Sequence, residues 1–534
     1  MAQASTKSTK KHRERNLVRG SIPDHFKALA IPAGIGMLFN TLYNVVDTFF
    51  AGMISTDAQA GLSVSFTVFF ILIAFGIGLG QGISALVGTA IGARPTIQTE
   101  TQPANHKPED HKPTDHKPED HKSQNSKNLN QITRGQTTGN HTTGDHGFRT
   151  QDITTSKSTS SPKDIAAQGL SFATLFSFLL CAAGYYTIPH LLDLLGVFNG
   201  YRGLAHDYLI LILFAAPAFM IAFAANGILS AQGDTVTNRN ALIGGFVANC
   251  ALNPLFIFGA FGIPGLGFDG LAISTVIIEW FVAFYLLSHA LKSRAMINTT
   301  LSCFTPHVKI IKDIVAQGAP ASLNFLTITV GVFVIQYFLQ PFGATAVAAY
   351  GIALRIEQLI LLPGLGLTIV LLPIIAQNHG AKELDRVRYA FWWCVRTGIG
   401  MMLIGALLLL LGGKFLLGLF TQDPDVISTG FDYLLLAAPM LPAYLTLFAM
   451  MSFFQGIKRP IWTVWIGIYR QIFASAGFAA LFIYVLNWGT WGVWAAVFTA
   501  VWSGLLLSTI ILIIVARKSI QGLGGPGFLR SHES

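Results

Sequence analysis

Charged residues are scarce in this sequence. Only 11% of its 534 residues are Asp, Glu, Lys or Arg, whereas soluble globular proteins carry about 25%. Hydrophobic residues make up 52%, and apolar runs of about 20 residues, the length that crosses a bilayer, recur along the chain. This composition excludes a soluble enzyme of two or three domains. It predicts an all-α polytopic membrane protein.

Cysteine and recognisable catalytic motifs are scarce as well. The four cysteines are scattered without CxxC spacing, which excludes a disulfide framework and predicts no metal site. They are Cys181, Cys250, Cys303 and Cys394. The chain also lacks HExxH, the GxSxG elbow and a pair of intramembrane Asp residues, so we expect no enzymatic activity and no cofactor.

Twelve apolar segments are long enough to span a membrane. They lie near 28–52, 60–91, 166–189, 208–230, 241–261, 269–291, 319–341, 346–376, 390–413, 432–454, 461–486 and 490–516. Lys and Arg concentrate in alternate loops and in both tails, which predicts that both termini are cytoplasmic. The net charge of +9 therefore reflects orientation in the membrane, and we expect no nucleic-acid partner.

The two halves of the chain resemble each other at a fixed offset, as in duplicated transporters. Adding 288 maps Pro32 onto Pro320, and adding 222 maps Pro217 onto Pro439. The difference between the offsets matches a polar segment, 94–164. We therefore predict two pseudo-symmetric six-helix bundles, the first of which carries an insertion.

The insertion contains HKPEDHKPTDHKPEDHK, a five-residue repeat rich in His, Lys and Pro. Such a composition cannot form a core, which predicts a disordered cytoplasmic loop. Loose binding of Zn²⁺ or Ni²⁺ is the alternative for its histidines, His106, His111, His116 and His121. The predicted organisation is a basic cytoplasmic tail (1–24), an N-terminal lobe (25–292), an inter-lobe linker (293–318), a C-terminal lobe (319–517) and a second cytoplasmic tail (518–534).

A polar stripe crosses the first apolar segment. Asn40, Tyr43, Asn44 and Asp47 follow at i, i+3, i+4 and i+7, on one face of a helix. A charged carboxylate at this depth is costly, so Asp47 must face a wet cavity, find a partner or become protonated. This predicts a proton carrier, with a hydrogen bond inside helix packing as the alternative. Pro32, two to four turns earlier, suits a helix that bends.

The fifth segment carries two amides four residues apart. Asn249 and Asn253 share one face, and Pro254 follows directly. A proline frees a backbone carbonyl and bends a helix, and both effects suit the wall of a cavity. We predict that the amides line the substrate or cation cavity. Packing between helices is the alternative role.

Four further ionisable residues lie within apolar segments. Glu357 and Arg355 are two residues apart, so they point to different faces of a helix. Glu279 lies near the middle of the sixth segment, and Arg470 lies ten residues into the eleventh. A secondary functional role is one interpretation of these residues. Pairing or snorkelling that fixes the fold is the other.

Five motifs taken in order resemble the multidrug and toxic compound extrusion (MATE) family, and the prokaryotic DinF-like branch in particular. They are PAGIGMLFNTLYNVVDTFFAG, GQGISALVGTAIGA, ANCALNPLFIFG, YGIALRIEQLILLPGLGL and AQNHGAKELDRV. The resemblance covers about 25–93 and 165–517. It implies twelve transmembrane helices in two bundles arranged as a V around a central cavity, with alternating access driven by H⁺ or Na⁺.

The resemblance also implies roles for particular residues. Asp47 matches the family's protonation site, Tyr43 the tyrosine one turn before it, and Pro32 the helix-bending proline. Asn249 matches a family asparagine, but Asn253 stands where an acidic residue is common. This departure leaves Asp47 as the principal acid of the N-terminal lobe and weakens the expectation of a strong Na⁺ site there.

These observations together predict a secondary active exporter of multidrug or toxic organic compounds. The resemblance implies cation-coupled antiport, with H⁺ favoured over Na⁺. The expected partners are membrane lipids and small amphipathic organic substrates, cations among them. We expect a monomer in the bacterial inner membrane. The alternative is a flippase for lipid-linked precursors or polysaccharides of the same superfamily, which would need a more cationic cavity than Arg355 and Arg470 provide.

Overall fold

The computed structural model describes residues 15–94, 160–194 and 201–524. Within these ranges the chain forms twelve long helices when the bent pair is counted as one, which confirms the predicted all-α, twelve-helix fold. The helices are α1 (Ile22–Ile54), α2 (Thr56–Gly92), α3 (Pro162–Leu194), α4 (Tyr201–Leu213 with Ala216–Ala231), α5 (Val236–Phe258), α6 (Phe268–Leu291), α7 (Val308–Leu339), α8 (Gly343–Gly380), α9 (Leu384–Gly418), α10 (Pro424–Gly456), α11 (Ile461–Val485) and α12 (Thr490–Ile520).

Several helices differ in detail from the predicted spans. The two parts of α4 meet at 52°, next to Pro217. Helix α11 contains two π-helical segments, Tyr469–Ala474 and Leu481–Val485. Helix α7 begins at Val308, so the end of the predicted linker, 293–318, is helical. Most of the predicted loop 94–164, with its four histidines, and most of both tails lie outside the described residues. The end of that predicted loop is helical, because α3 already begins at Pro162.

The buried core falls into three clusters. The largest is built from α7–α12, the C-terminal lobe, but it also includes Leu17 and Phe26 from the start of the chain. The second belongs to the N-terminal lobe (α1–α6), where its residues come from α2–α6 and the segment after α6, and it includes Ile310 and Ile314 of α7. The third consists of residues of the N-terminal lobe alone, among them Leu62. Each lobe therefore packs the first turns of the other lobe's first helix into its own core.

The contacts between the lobes confirm the internal repeat. A Cβ at Gly78 would overlap Gly318 and Ser322, and a Cβ at Gly366 would meet Ala30 and Gly34. Each residue of the second contact is related to one of the first by an offset of 288. The two contacts are therefore copies of one another across a pseudo-two-fold axis.

The second offset is also present in the packing. Gly76 lies against Phe223 within the N-terminal lobe, and Gly364 lies against Leu445 within the C-terminal lobe. The two glycines are related by the offset of 288, and their partners, Phe223 and Leu445, are related by the offset of 222. The offsets found in the sequence therefore describe how the two lobes pack.

The lobes join near one end of the molecule, which we call the tail face. It contains residues 15–20, the start of α1 and the ends of α2 and α8. Gly92 lies against the carbonyl of Gln377, and Gly380 lies against the carbonyl of Thr89, again a pair related by 288. Only glycine permits backbones to approach this closely. The tail face is therefore closed.

Candidate functional site

The carboxylate of Asp47 lies inside the N-terminal lobe and is held by two amides. Its side chain is 1% exposed, and Asn249 and Asn253 are fully buried. The Nδ2 atoms of these two residues donate to Oδ1 of Asp47 at 2.7 and 2.8 Å. The spacing of four residues on α5 brings both amides to the same face, as predicted. The partners of Asp47 among the described residues are thus amides, not cations.

Helix α6 supplies a second layer of hydroxyl groups. Ser274 donates to Oδ1 of Asn253 and so fixes the orientation of that amide. The hydroxyl of Tyr43 donates to Oγ1 of Thr275 at 3.3 Å. Ser274 and Thr275 were not predicted from the sequence. Thr275 has one available signal, because it lies four residues before Glu279 on the same face of α6.

An oxygen beside Asp47 has no hydrogen-bond donor within the described part of the chain. It is Oδ1 of Asn249, which is buried and accepts no hydrogen bond there. Glu279 is half-buried and interacts electrostatically with both Asp47 and Tyr43. The site therefore places an unpaired acceptor beside the buried carboxylate of Asp47, and a second carboxyl group, that of Glu279, follows on α6 one turn after Thr275.

The other half of the predicted stripe lies elsewhere. Asn40 and Asn44 are exposed, and Nδ2 of Asn44 donates to the carbonyl of Asn40 on its own helix at 3.1 Å. Their membership of the cavity stays a prediction. Pro32 is buried inside α1, about four turns before Asp47. It marks the place where the hydrogen-bond ladder of α1 is weakest.

The C-terminal lobe contains a separate buried carboxylate. Glu357 of α8 is 2% exposed, and its Oε2 accepts a hydrogen bond from Tyr433 of α10 at 2.7 Å. Tyr350 and Trp494 enclose this pair with aromatic contacts to Tyr433. The sequence identified Glu357 as a candidate but gave no sign of its partner.

The two arginines considered with Glu357 do not join it. Arg355 is exposed on α8, as expected for residues two apart on a helix. The guanidinium of Arg470 lies over the ring of Tyr444, 5.7 Å from its centroid. Arg470 interacts electrostatically with Glu357. The hydrogen-bond donor to the carboxylate of Glu357, however, is Tyr433 and not Arg470.

We expect the substitution Tyr433→Phe to lower the stability of the C-terminal lobe by about 1–3 kcal/mol, because it leaves a buried carboxylate without its donor. Thermal unfolding of the purified protein in detergent measures this loss. Tyr444→Phe is the matched control, since it keeps the ring that faces Arg470. The double variant Tyr433→Phe with Glu357→Leu should recover part of the loss. Equal stability of the two tyrosine variants would contradict the expectation.

Comparison with known proteins places the fold in a family. The family model described as MatE matches residues 32–100, 155–255 and 320–481. A "probable multidrug resistance protein YoeA" from Bacillus subtilis is 26% identical over 466 residues, which cover 85% of each chain. An "FAD transporter" from Shewanella oneidensis is 25% identical and covers 86% of this chain and 87% of its own.

Solved structures share the architecture. An outward-facing multidrug resistance MATE family transporter of the MOP superfamily aligns with a TM-score of 0.75 at 22% identity, covering 97% of this chain and all of its own. A MOP superfamily transporter from Pyrococcus furiosus gives a TM-score of 0.75 at 22% identity, over 96% of this chain and all of its own. At this identity the likeness concerns the fold, which is that of two six-helix lobes.

Proposed function

Because this chain belongs to the MatE family of membrane transporters, we propose that it exports small amphipathic organic compounds by cation-coupled antiport, with H⁺ favoured over Na⁺. The family is one of transporters and not of enzymes. Relatives named as multidrug resistance proteins support an organic substrate. The observation that carries the coupling is the buried carboxylate of Asp47, which is held by two amides and has no cation among its hydrogen-bond partners.

The geometry around Asp47 suits two protonation states. Both amides donate to Oδ1, so the other carboxylate oxygen is the place where a proton would be bound. Protonation of Oδ2 leaves Oδ1 as an acceptor, and both hydrogen bonds persist. In the ionised state, two amide donors stabilise the charge in a site with little water. Asp47 therefore needs no rearrangement of α5 to gain or lose a proton.

The closed tail face supports alternating access. If the termini are cytoplasmic, as the distribution of Lys and Arg predicts, this structure is closed towards the cytoplasm. Asp47, seven residues from the end of α1, then lies in the outer half of the molecule. We infer that protons bind from outside in this state and are released inside after the lobes rock. One pH unit supplies about 1.4 kcal/mol per proton, and 100 mV adds about 2.3 kcal/mol.

The flippase alternative is less well supported by the arrangement of cations. A pyrophosphate group would need several cationic side chains that converge on one cavity. Arg355 is exposed on α8, whereas Arg470 packs on Tyr444 in the interior of the C-terminal lobe. We therefore retain the exporter. We also propose that it acts as a monomer, since one chain supplies every residue of the Asp47 cluster.

The choice of coupling ion is tested in proteoliposomes that contain the purified protein and a pH-sensitive dye. A gradient of a cationic organic substrate should drive protons in the direction opposite to the substrate. Replacing Na⁺ by choline should leave the rate of this proton movement unchanged within about twofold. A strict requirement for Na⁺ would overturn the preference for H⁺. Protein-free liposomes measure the passive leak of the same substrate.

A further inference from the structure

Residues 15–20, which we call the strap, lie across the end of the C-terminal lobe although they lead into the first helix of the other lobe. The backbone N–H of Leu17 donates to Oε1 of Gln377 at 3.0 Å. In return, Nδ2 of Asn378 donates to the carbonyl of Leu17 at 3.0 Å. Two consecutive side chains at the end of α8 therefore bind both sides of one strap residue.

Arg386 of α9 adds a charged contact to the same segment. Its guanidinium donates to the carbonyl of Gly20 at 2.9 Å and to the carbonyl of Leu17 at 3.3 Å. It also donates to Oδ1 of Asn378 at 2.9 Å, which fixes the amide that holds Leu17. Hydrogen bonds from a guanidinium are among the stronger ones in proteins.

The strap is also bound to the N-terminal lobe. The backbone N–H of Arg15 donates to the carbonyl of Gln232, at the end of α4, at 3.0 Å. Nε2 of Gln377 reaches across the seam to the carbonyl of Ala231 at 2.6 Å. The strap and Gln377 thus connect α4 of one lobe to α8 of the other.

The side chain of Leu17 anchors the strap in the protein interior. It is fully buried and belongs to the core cluster of the C-terminal lobe. Gly233 of the N-terminal lobe lies on its other side, where a Cβ would approach Leu17 Cδ2 to 3.2 Å. Separation of the lobes at the tail face must therefore withdraw Leu17 from one of its two neighbours.

We propose that the strap is a latch that holds the tail face closed and sets the resting balance between the two access states. Opening of the tail face breaks its bonds to Gln377, Asn378 and Arg386, and closing remakes them. The latch counterbalances the coupling ion, since ion binding must supply the free energy that detaches it before the ion is released inside. This inference rests on the alternating access of the proposed function, and it adds a residue-level gate outside the ion site.

The latch is tested by distance measurement between spin labels on the two lobes of the full-length chain, with native cysteines replaced by serine or alanine. Asn240 on α5 and Glu383 before α9 are exposed positions near the tail face. We expect the unsubstituted strap to give mainly the short distance. Arg386→Ala should raise the ratio of long to short distances about tenfold, since charge-assisted hydrogen bonds are lost.

Arg388→Ala is the matched control. Arg388 has the same charge and lies two residues further along α9, but its bonds go to the carbonyls of Gly522 and Ile520 and to the carboxylate of Asp385, all within the C-terminal lobe. Leu17→Ala is a second test that removes no charge, and it should open the tail face as Arg386→Ala does. Equal distance distributions in Arg386→Ala, Leu17→Ala and Arg388→Ala would overturn the latch.

The measurement separates the latch from the proposed function. It needs neither a substrate nor an ion gradient, so it can succeed or fail regardless of whether Asp47 carries a proton. Conversely, Asp47→Asn removes the proposed proton site and none of the bonds of the strap. A chain that opens on Arg386→Ala but shows no coupled transport would retain the latch and lose the antiport.

Discussion

The substitution Asp47→Asn is expected to abolish proton-coupled export while the protein remains folded. An amide at position 47 has nearly the shape of the carboxyl group, and its oxygen still accepts from Asn249 and Asn253. It cannot bind and release a proton. Substrate-driven proton movement in proteoliposomes should therefore fall by at least about tenfold, to the level of protein-free liposomes, since the essential protonatable group is lost.

The matched control for this prediction is Asp57→Asn. Asp57 is an exposed carboxylate in the first turn of α2, so its substitution removes the same charge without touching the cluster. Size-exclusion profiles and unfolding temperatures of both variants should match those of the unsubstituted protein. Full substrate-driven proton movement by Asp47→Asn would contradict the role of Asp47. Glu279 and Glu357 would then be the remaining candidates for the proton-binding group.

The primary residues of the N-terminal site could be predicted because each carries its signal along the helix. Asp47 is a carboxylate in an apolar segment, and Asn249 and Asn253 are four residues apart. The sequence could not show that the two amides bond Asp47. That contact joins α1 to α5 across about 200 positions, and only the packing of the lobe brings the helices together. Ser274 and Thr275 were missed because single hydroxyl groups are common in membrane helices.

The polar stripe on α1 was only partly informative. A periodicity of 3.6 identifies a face, but it does not say how far along the helix that face is covered by neighbours. Asp47 and Tyr43 lie where α5 and α6 pack against α1, whereas Asn44 is exposed and bonds the backbone of its own helix. A side chain that satisfies itself in this way leaves the same pattern in the sequence as one that binds a partner.

The fold could be predicted from the sequence to a greater degree than the contacts of the strap. Spans follow from the thickness of the bilayer, and the repeat follows from glycines and prolines at constant offsets. The strap has no such pattern, because its bonds run mainly between backbone groups and the side chains of Gln377, Asn378 and Arg386. A short irregular segment gives no periodicity that would reveal its partners.

The glycines at the seam make the second prediction with a large effect. Gly92 and Gly380 end α2 and α8, and each lies against a carbonyl of the opposite lobe. A methyl group there would overlap a backbone atom, which cannot move aside as a flexible side chain does. Since the obstacle belongs to the other lobe, each lobe can still fold around the added carbon. The tail face, however, cannot close.

We therefore expect the double variant Gly92→Ala with Gly380→Ala to shift the distance between the spin labels at 240 and 383 almost wholly to the long value. It should also reduce export by at least about tenfold, because a carrier that cannot close one side cannot complete its cycle. Gly400→Ala is the control, since no atom lies within 4 Å of a Cβ at that position. Gly364→Ala gives a further contrast, because its Cβ would meet Leu445 of its own lobe. That variant should lower the unfolding temperature and leave the seam closed. Short distances in the double variant would show that the two lobes can slide past one another at the seam, and rigid closure through glycine contacts would then be wrong.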